Sequence, residues 1–403
     1  MTTSLRYATR MASIKASDIR ELLKVTEQPE MISFAGGLPA PELFPLQRIE
    51  KIAARVIREQ GMQALQYSTT EGYTPLREKI ACRMNGKFGV SMTAANILIT
   101  GGSQQGLDLT GKLFLDEGDV VLCESPTYLG AIQAFTTYRP KFVEVQTDEF
   151  GMDPDHLRQL LQTVPKIKLI YVVPDFQNPT GRCWSLERRE QLVRLADEFG
   201  VAVVEDHPYG DLRFEGDPVP TVLSLDREGR VIHLGTFSKT FCPGYRIGWV
   251  AGEQEVITKY VLLKQATDLQ TSTVVQRELD LYLNEYDLDK DIEGIVDVYR
   301  KRRDVMIETL RDEMPEEVRF SKPAGGLFAW VQLPDHLNAR DLLERSLKQM
   351  VAFVPGGSCF PNGGHENTMR LNFSNMDEVR IREGVRRLGQ VIRDTLAVGV
   401  GRL

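Results

Sequence analysis

The chain has 403 residues, 42% of them hydrophobic and 26% charged, with a formal net charge of −7. That length can bury a sizeable core and fits two or three domains' worth of chain. The acidic balance argues against a nucleic-acid or anionic-membrane surface, and no apolar stretch is long enough to span a bilayer.

Met1 to Ala16 carries arginines, serines and threonines without an acid. It lacks a signal-peptide core and reads as a short N-terminal arm. The next segment, with Gly36-Gly37 and Pro39, Pro41 and Pro45, reads as irregular chain packed across another element. Apolar, β-branched runs then predict strands at Ile97–Thr100, Val120–Cys123, Phe142–Val145, Lys168–Val173, Val201–Glu205, Val231–Gly235 and Ile247–Ala251. A helix is expected at Leu107–Leu115. Another is expected over Ser185–Phe199, with a serine cap, an apolar face and Gly200 as its stop. Strands alternating with helices read as an α/β unit with a mostly parallel sheet. After about Val256 the texture changes to long charged helices such as Val298–Glu313. Short strands follow at Phe328–Gln332, Ala352–Val354 and Met369–Phe373, with a last helix at Glu378–Thr395, which reads as a smaller α+β domain. The cysteines (Cys82, Cys123, Cys183, Cys242, Cys359) are widely spaced without a C-x-x-C. They fit neither a disulfide framework nor a zinc site, and point to a reducing cytoplasm.

Open parallel sheets bind ligands beyond the carboxyl ends of their strands, and most of the chemistry-bearing segments follow a strand. Gly101-Gly102-Ser103-Gln104-Gln105-Gly106 places backbone N–H groups at a helix start, with Ser103 and Gln104 as added donors. It suits a phosphate, or is simply a tight turn. It is neither a dinucleotide fingerprint nor a P-loop, because Ser103, Leu107 and Asp108 stand at key positions. Tyr128, after Val120–Glu124, can stack on an aromatic ring or sit half-buried with no such role. Asn178 precedes Pro179, so its backbone is held extended and its amide can be aimed. Asp206 lies at the edge of a buried strand, where a carboxylate is costly unless a cation pairs with it. A protonated pyridine nitrogen would serve, as would a structural salt bridge. Tyr209 is within reach of the same ligand.

Lys239 stands in Thr236-Phe237-Ser238-Lys239 with Arg246 seven residues on. A lysine at a strand end, flanked by hydroxyls and a spaced arginine, can hold an aldehyde cofactor as a Schiff base while its neighbours hold a phosphate. Arg370 lies inside an apolar strand and needs a partner; a carboxylate in bidentate pairing is the best match.

Taken in order, these motifs resemble the fold-type-I pyridoxal-phosphate aminotransferases of class I/II, from about Ile32 to Arg393. Ser33-Phe34-Ala35-Gly36-Gly37-Leu38-Pro39 and Leu65–Tyr73 are similar to the 2-aminoadipate and kynurenine aminotransferase branch, which also holds the MocR-type regulators. The resemblance implies a three-layer large domain with a seven-stranded, mostly parallel sheet over residues 46–290. It implies a small domain over 291–403, joined by an N-terminal arm and part of the small domain over 1–45. It assigns Lys239 as the cofactor and proton-moving lysine, and Asp206 to the pyridine nitrogen. Asn178 and Tyr209 go to the phenolic oxygen and Tyr128 to the ring face. Ser103, Gln104, Thr236, Ser238 and Arg246 go to the phosphate, with Tyr67 reaching it from the second subunit of a homodimer. Arg370, with Asn178 and Gly37, would hold the substrate. Arg20 looks like the counterpart of an arginine that meets the distal carboxylate of acidic substrates; a solvated helix arginine fits it equally. The implied reaction moves an amino group from an L-amino acid (2-aminoadipate, aromatic or branched-chain) to a 2-oxo acid such as 2-oxoglutarate. A lyase, racemase or α-oxoamine synthase on the same cofactor is the alternative. A regulator's effector module would need a DNA-binding domain before Ile32, and a dehydrogenase fails on the glycine pattern.

Overall fold

The computed structural model describes residues 5–14, 28 and 30–400. Seven strands build the central sheet. They are β1 (Ile97–Thr100), β2 (Val120–Glu124), β3 (Lys141–Val145), β4 (Ile167–Val172), β5 (Ala202–Asp206), β6 (Val231–Thr236) and β7 (Gly248–Ala251). Their order is β1-β7-β6-β5-β4-β2-β3. All run one way except β7, which is antiparallel to both β1 and β6.

The sheet is buried on both faces, which is why its strands read as near-continuous apolar runs. Side chains alternate between two cores. Leu98, Val121, Tyr171, Val204 and Leu234 enter one core; Ile99, Leu122, Ile170, Val203 and Ala251 enter the other. Among the covering helices are α1 (Ser103–Phe114) and α2 (Leu186–Phe199). In α2 the Ser185 hydroxyl accepts from the Arg188 N–H, and Gly200 closes the helix at φ +68°.

The expected elements shift in ways that matter for the site. Helix α1 begins at Ser103 rather than Leu107, so Ser103 and Gln104 lie in its first turn. Strand β5 begins one residue late and includes Asp206, because the Val201 N–H is used by the Ala196 carbonyl at the end of α2. Strand β7 begins at Gly248, since Arg246 takes a left-handed conformation at φ +54°.

A second sheet is antiparallel. It contains β8 (Arg319–Phe320), β9 (Phe328–Gln332), β10 (Val354–Pro355) and β11 (Thr368–Asn372), in the order β8-β9-β11-β10. The strand expected at Ala352–Val354 is split between two partners. Val351–Ala352 pairs with Ile32–Ser33, whereas Val354–Pro355 joins β11. The long helix begins at Leu288, capped by Asp287, and the last helix runs on to Val400. A basic run, Arg300-Lys301-Arg302-Arg303, lies in the Leu288–Glu313 helix, but it is not a free charged stripe. Arg302 and Arg303 are buried and pair with Glu42 and Glu215. Among the described residues no helix is long and apolar enough to cross a membrane.

Candidate active site

Because β1, β2, β4, β5 and β6 point the same way, the turns after them meet at one end of the sheet. A cavity of about 370 Å³ opens there, lined by Ser103, Tyr128, Asn178, Asp206, Tyr209 and Lys239 among others. Gln104, Thr236, Ser238, Arg246, Arg370 and Gly37 also face it.

One end of the cavity is an anion cup. The Gly101–Gly102 turn feeds α1, whose first N–H groups are unpaired donors by geometry. Gly102 has φ +83°, and a Cβ there would collide with the Arg246 guanidinium. Arg246 crosses the cup, donating to the Gly101 carbonyl at 3.1 Å and to Ser238 Oγ at 3.4 Å. The Thr236 hydroxyl donates to Ser238 Oγ at 3.0 Å and accepts from the Ser238 N–H at 3.1 Å. Gly248 lets β7 approach, since a Cβ would lie 2.7 Å from the Ser103 nitrogen. The Gln104 side-chain amide is already engaged with the Gly130 carbonyl at 3.0 Å.

Lys239 Nζ donates to the Gly37 carbonyl at 2.8 Å. Burial, with Arg370 and Arg246 nearby, lowers its pKa to about 8. A larger share of the amine is then neutral, the form that attacks carbonyls and accepts protons. Tyr128 lies against Gly130, where a Cβ would lie 2.5 Å from its ring.

Asp206 is buried at the end of β5. One oxygen accepts from the Tyr171 hydroxyl at 2.8 Å; the other, Oδ1, has no partner among the described residues. Burial raises its pKa to about 6 against the pull of Tyr171 and His207. A buried carboxylate oxygen without a donor is a costly arrangement that a bound cationic N–H would relieve.

Asn178 donates to the Tyr209 hydroxyl at 3.4 Å and accepts from Arg370 at 2.8 Å. Arg370 also donates to the Ala35 carbonyl at 2.6 Å and lies 4.2 Å above the Phe328 ring. Among the described residues these partners include no acid, and the Arg370 Nε is unpartnered. Arg370 is thus a buried guanidinium held in place by neutral groups.

Among the described residues, one expected site residue is not in this cavity. Tyr67 is 79% exposed, on the loop after the Leu46–Ala64 helix. Arg20 lies outside the described residues. Conversely, the cavity includes Phe328 and Gln133, to which no sequence motif gave a site role.

A hub behind the cavity was also missed. Asp175 accepts from both Arg189 terminal nitrogens at 2.9 Å, and lies 3.3 Å from Arg213 and His207. Its position in the Pro174–Gly181 loop was the available signal. The hub ties that loop to α2 and to the strand end that carries Asp206. Burial alone would raise the Asp175 carboxyl, but Arg189 and then His207 hold it well below the usual carboxylate range. A depressed carboxyl contributes full stability above its unfolded pKa near 4, and that stability is lost as pH falls from there through the lower folded value. Asp175→Ala is expected to cost about 3 to 5 kcal/mol, the range for breaking a buried ion pair from one side. Urea unfolding should show this at neutral pH, with the gap to wild type narrowing in acid.

Comparison with known proteins agrees with the geometry. The model of the family "Aminotransferase class I and II" matches residues 35–388. The 2-aminoadipate transaminase of Thermus thermophilus is 45% identical over 388 residues, covering 96% of each chain. The aromatic-amino-acid aminotransferase 1 of Thermococcus litoralis is 44% identical over 394 residues, 97% of this chain and 94% of the other. Among solved structures, the kynurenine aminotransferase of Pyrococcus horikoshii in complex with PMP superposes with a TM-score of 0.93. It is 44% identical, with 97% of both chains covered. The chain belongs to the class I and II aminotransferase family. It is a pyridoxal-phosphate-dependent enzyme that moves amino groups between amino acids and 2-oxo acids. The cavity fits that cofactor: it offers a cup for a phosphate, an amine for an aldehyde and an unpartnered carboxylate oxygen for a ring N–H.

Proposed function

We propose that Lys239 carries the cofactor and moves the substrate proton, with Asp206 and Arg370 fixing the two ends of the reaction. The observation that carries this reading is one shared cavity. In it lie the Lys239 amine, the unpartnered Asp206 Oδ1 and the Arg370 guanidinium without an acid. When bound, the cofactor supplies an aldehyde for the amino group and a ring that withdraws the electrons left as a Cα–H bond breaks. Asp206 Oδ1 would hold a proton on the ring nitrogen. Ser103, Gln104, Thr236, Ser238 and Arg246 would bind the phosphate, with the first N–H groups of α1. Asn178 and Tyr209 would hydrogen-bond the phenolic oxygen, and Tyr128 would cover the ring.

Arg370 would take the substrate α-carboxylate in a bidentate grip, oriented by Asn178 and the Ala35 carbonyl. The Lys239 amine, freed by the incoming amine, would take the proton from Cα. Its contact with the Gly37 carbonyl gives the freed ammonium an acceptor. Holding the carboxylate and phosphate at opposite ends orients the reacting bond, and orientation accounts for a large part of such a barrier.

The exposure of Tyr67 fits a homodimer in which it reaches the partner's phosphate. Residues 46–290 would form the cofactor domain and 291–403 the small one, with 1–45 as the arm. The pairing of Ile32–Ser33 with Val351–Ala352 supports placing that segment with the small domain. A reducing cytoplasm suits the five free cysteines.

The amino donor is proposed as 2-aminoadipate, an aromatic or a branched-chain amino acid, with 2-oxoglutarate as acceptor. The names of the relatives support the first two classes. A half-reaction screen of the purified enzyme against the common amino acids tests this. Arg20→Ala is expected to lower kcat/KM for 2-aminoadipate by about 10-fold or more while leaving leucine within about 2-fold, as loss of one ionic contact would. Equal losses for both would reject a distal-carboxylate role.

A further inference from the structure

The two oxygens of Asp206 have different surroundings, and the difference traces to one residue on the next strand. Strands β4 and β5 are parallel, and their register sets Tyr171 opposite Val204. Asp206 lies two residues further along β5, so it shares the sheet face of Val204 and Tyr171. The Tyr171 hydroxyl reaches Asp206 Oδ2 at 2.8 Å. The ring that carries it is buried and meets the edge of Phe135 at 5.8 Å between centroids. Packed rings of this kind hold their hydroxyl in one place.

A carboxylate has one torsion beyond Cβ with a broad, two-fold preference, so an unanchored Asp206 could turn either oxygen aside. With Oδ2 anchored, Oδ1 keeps one direction. Asp206 lines the cavity, and Oδ1 is the oxygen without a partner. We propose that Tyr171 is a positioning residue: its hydroxyl holds Asp206 Oδ2 so that Oδ1 stays aimed at the ring nitrogen of the bound cofactor. This rests on the role given to Asp206 above. The hydroxyl also donates to the charged carboxylate, opposing the effect of burial. The other ionisable groups acting on Asp206 are His207, next in the chain, and Tyr209. A tyrosine serving only as core would need some acceptor for its hydroxyl, but its removal would not reach the cofactor.

The experiment uses full-length enzyme loaded with ¹⁵N-labelled pyridoxal phosphate, and reads the ring-nitrogen chemical shift from roughly pH 6 to 9. In wild type the nitrogen is expected to stay protonated throughout. In Tyr171→Phe it should lose its proton within the range, and kcat should fall about 10- to 100-fold, the worth of one hydrogen bond to a charged group. KM for the amino acid should move less than about 2-fold, because the α-carboxylate grip is untouched. Adding Tyr171→Phe to Asp206→Asn should bring no further change, since the hydroxyl acts only through the carboxylate. A Tyr171→Phe enzyme that melts lower but keeps the wild-type nitrogen shift and kcat would overturn the inference, as would additive effects in the double variant. If Asp206→Asn itself leaves the nitrogen protonated, the assignment of Asp206 fails first.

Discussion

Replacing Lys239 with alanine is expected to lower transamination by about 10^4-fold or more, because positioned proton transfer alone contributes about 10^2- to 10^4-fold. In the proposed mechanism the same residue is also the covalent anchor. Its amine is held at the Gly37 carbonyl, and burial beside Arg370 and Arg246 brings its pKa down to about 8. Near neutral pH such a lysine supplies far more free amine than a solvated one. The variant retains the phosphate cup of Ser103, Ser238 and Arg246, so it should still bind the cofactor, reversibly. The absorbance band of lysine-bound cofactor should vanish along with the rate. A variant with near wild-type turnover would show that some other group does the work.

Asp206→Asn should produce the second largest loss. It keeps the size of the side chain and removes its charge. The kcat is expected to fall about 10^2- to 10^3-fold, as when one preorganised electrostatic partner of developing charge is deleted. Steady-state kinetics would check this. The same substitution should have the opposite effect on the cofactor-free fold. Burial raises the Asp206 pKa to about 6, against Tyr171 and His207. An acid whose pKa rises on folding destabilises the folded state once pH exceeds its unfolded value near 4; the cost is complete above the folded value and absent in strong acid. Cofactor-free Asp206→Asn is therefore expected to melt above wild type at roughly pH 8 and close to it at roughly pH 4. A binding carboxylate that destabilises the empty protein is the usual trade between function and stability.

The sequence made the proposed reacting groups legible because their chemistry restricts their neighbours. Lys239 needs a strand end, hydroxyls and a cation at the phosphate, and these lie close to it in the chain. Asp206 was legible as a carboxylate at the edge of an apolar run. The mostly parallel sheet followed from strands alternating with helices, although nothing local to Gly248–Ala251 distinguishes its antiparallel direction. Less visible were groups that act across strands. Tyr171 reads as one more β-former in Ile167–Val172, and only the register of β4 on β5 brings its hydroxyl to Asp206. Phe328 and Arg370 lie on adjacent strands of the second sheet, and only the register that sets Trp330 opposite Arg370 brings Phe328, two residues along, under the guanidinium. Asp175 stood in a loop of turn residues, and its three basic partners are 14, 32 and 38 residues away in the chain. Boundaries slipped where a residue serves two elements, as Val201 does in closing α2 before β5 begins.

The proposed mechanism requires that Lys239 hold the cofactor covalently. Its most direct test is to load the enzyme with pyridoxal phosphate, reduce it with borohydride and digest it. Mass spectrometry then locates the modified lysine. A single phosphopyridoxyl group is expected on the peptide that contains Lys239. A stoichiometric label on any other lysine, with Lys239 unmodified, would contradict it.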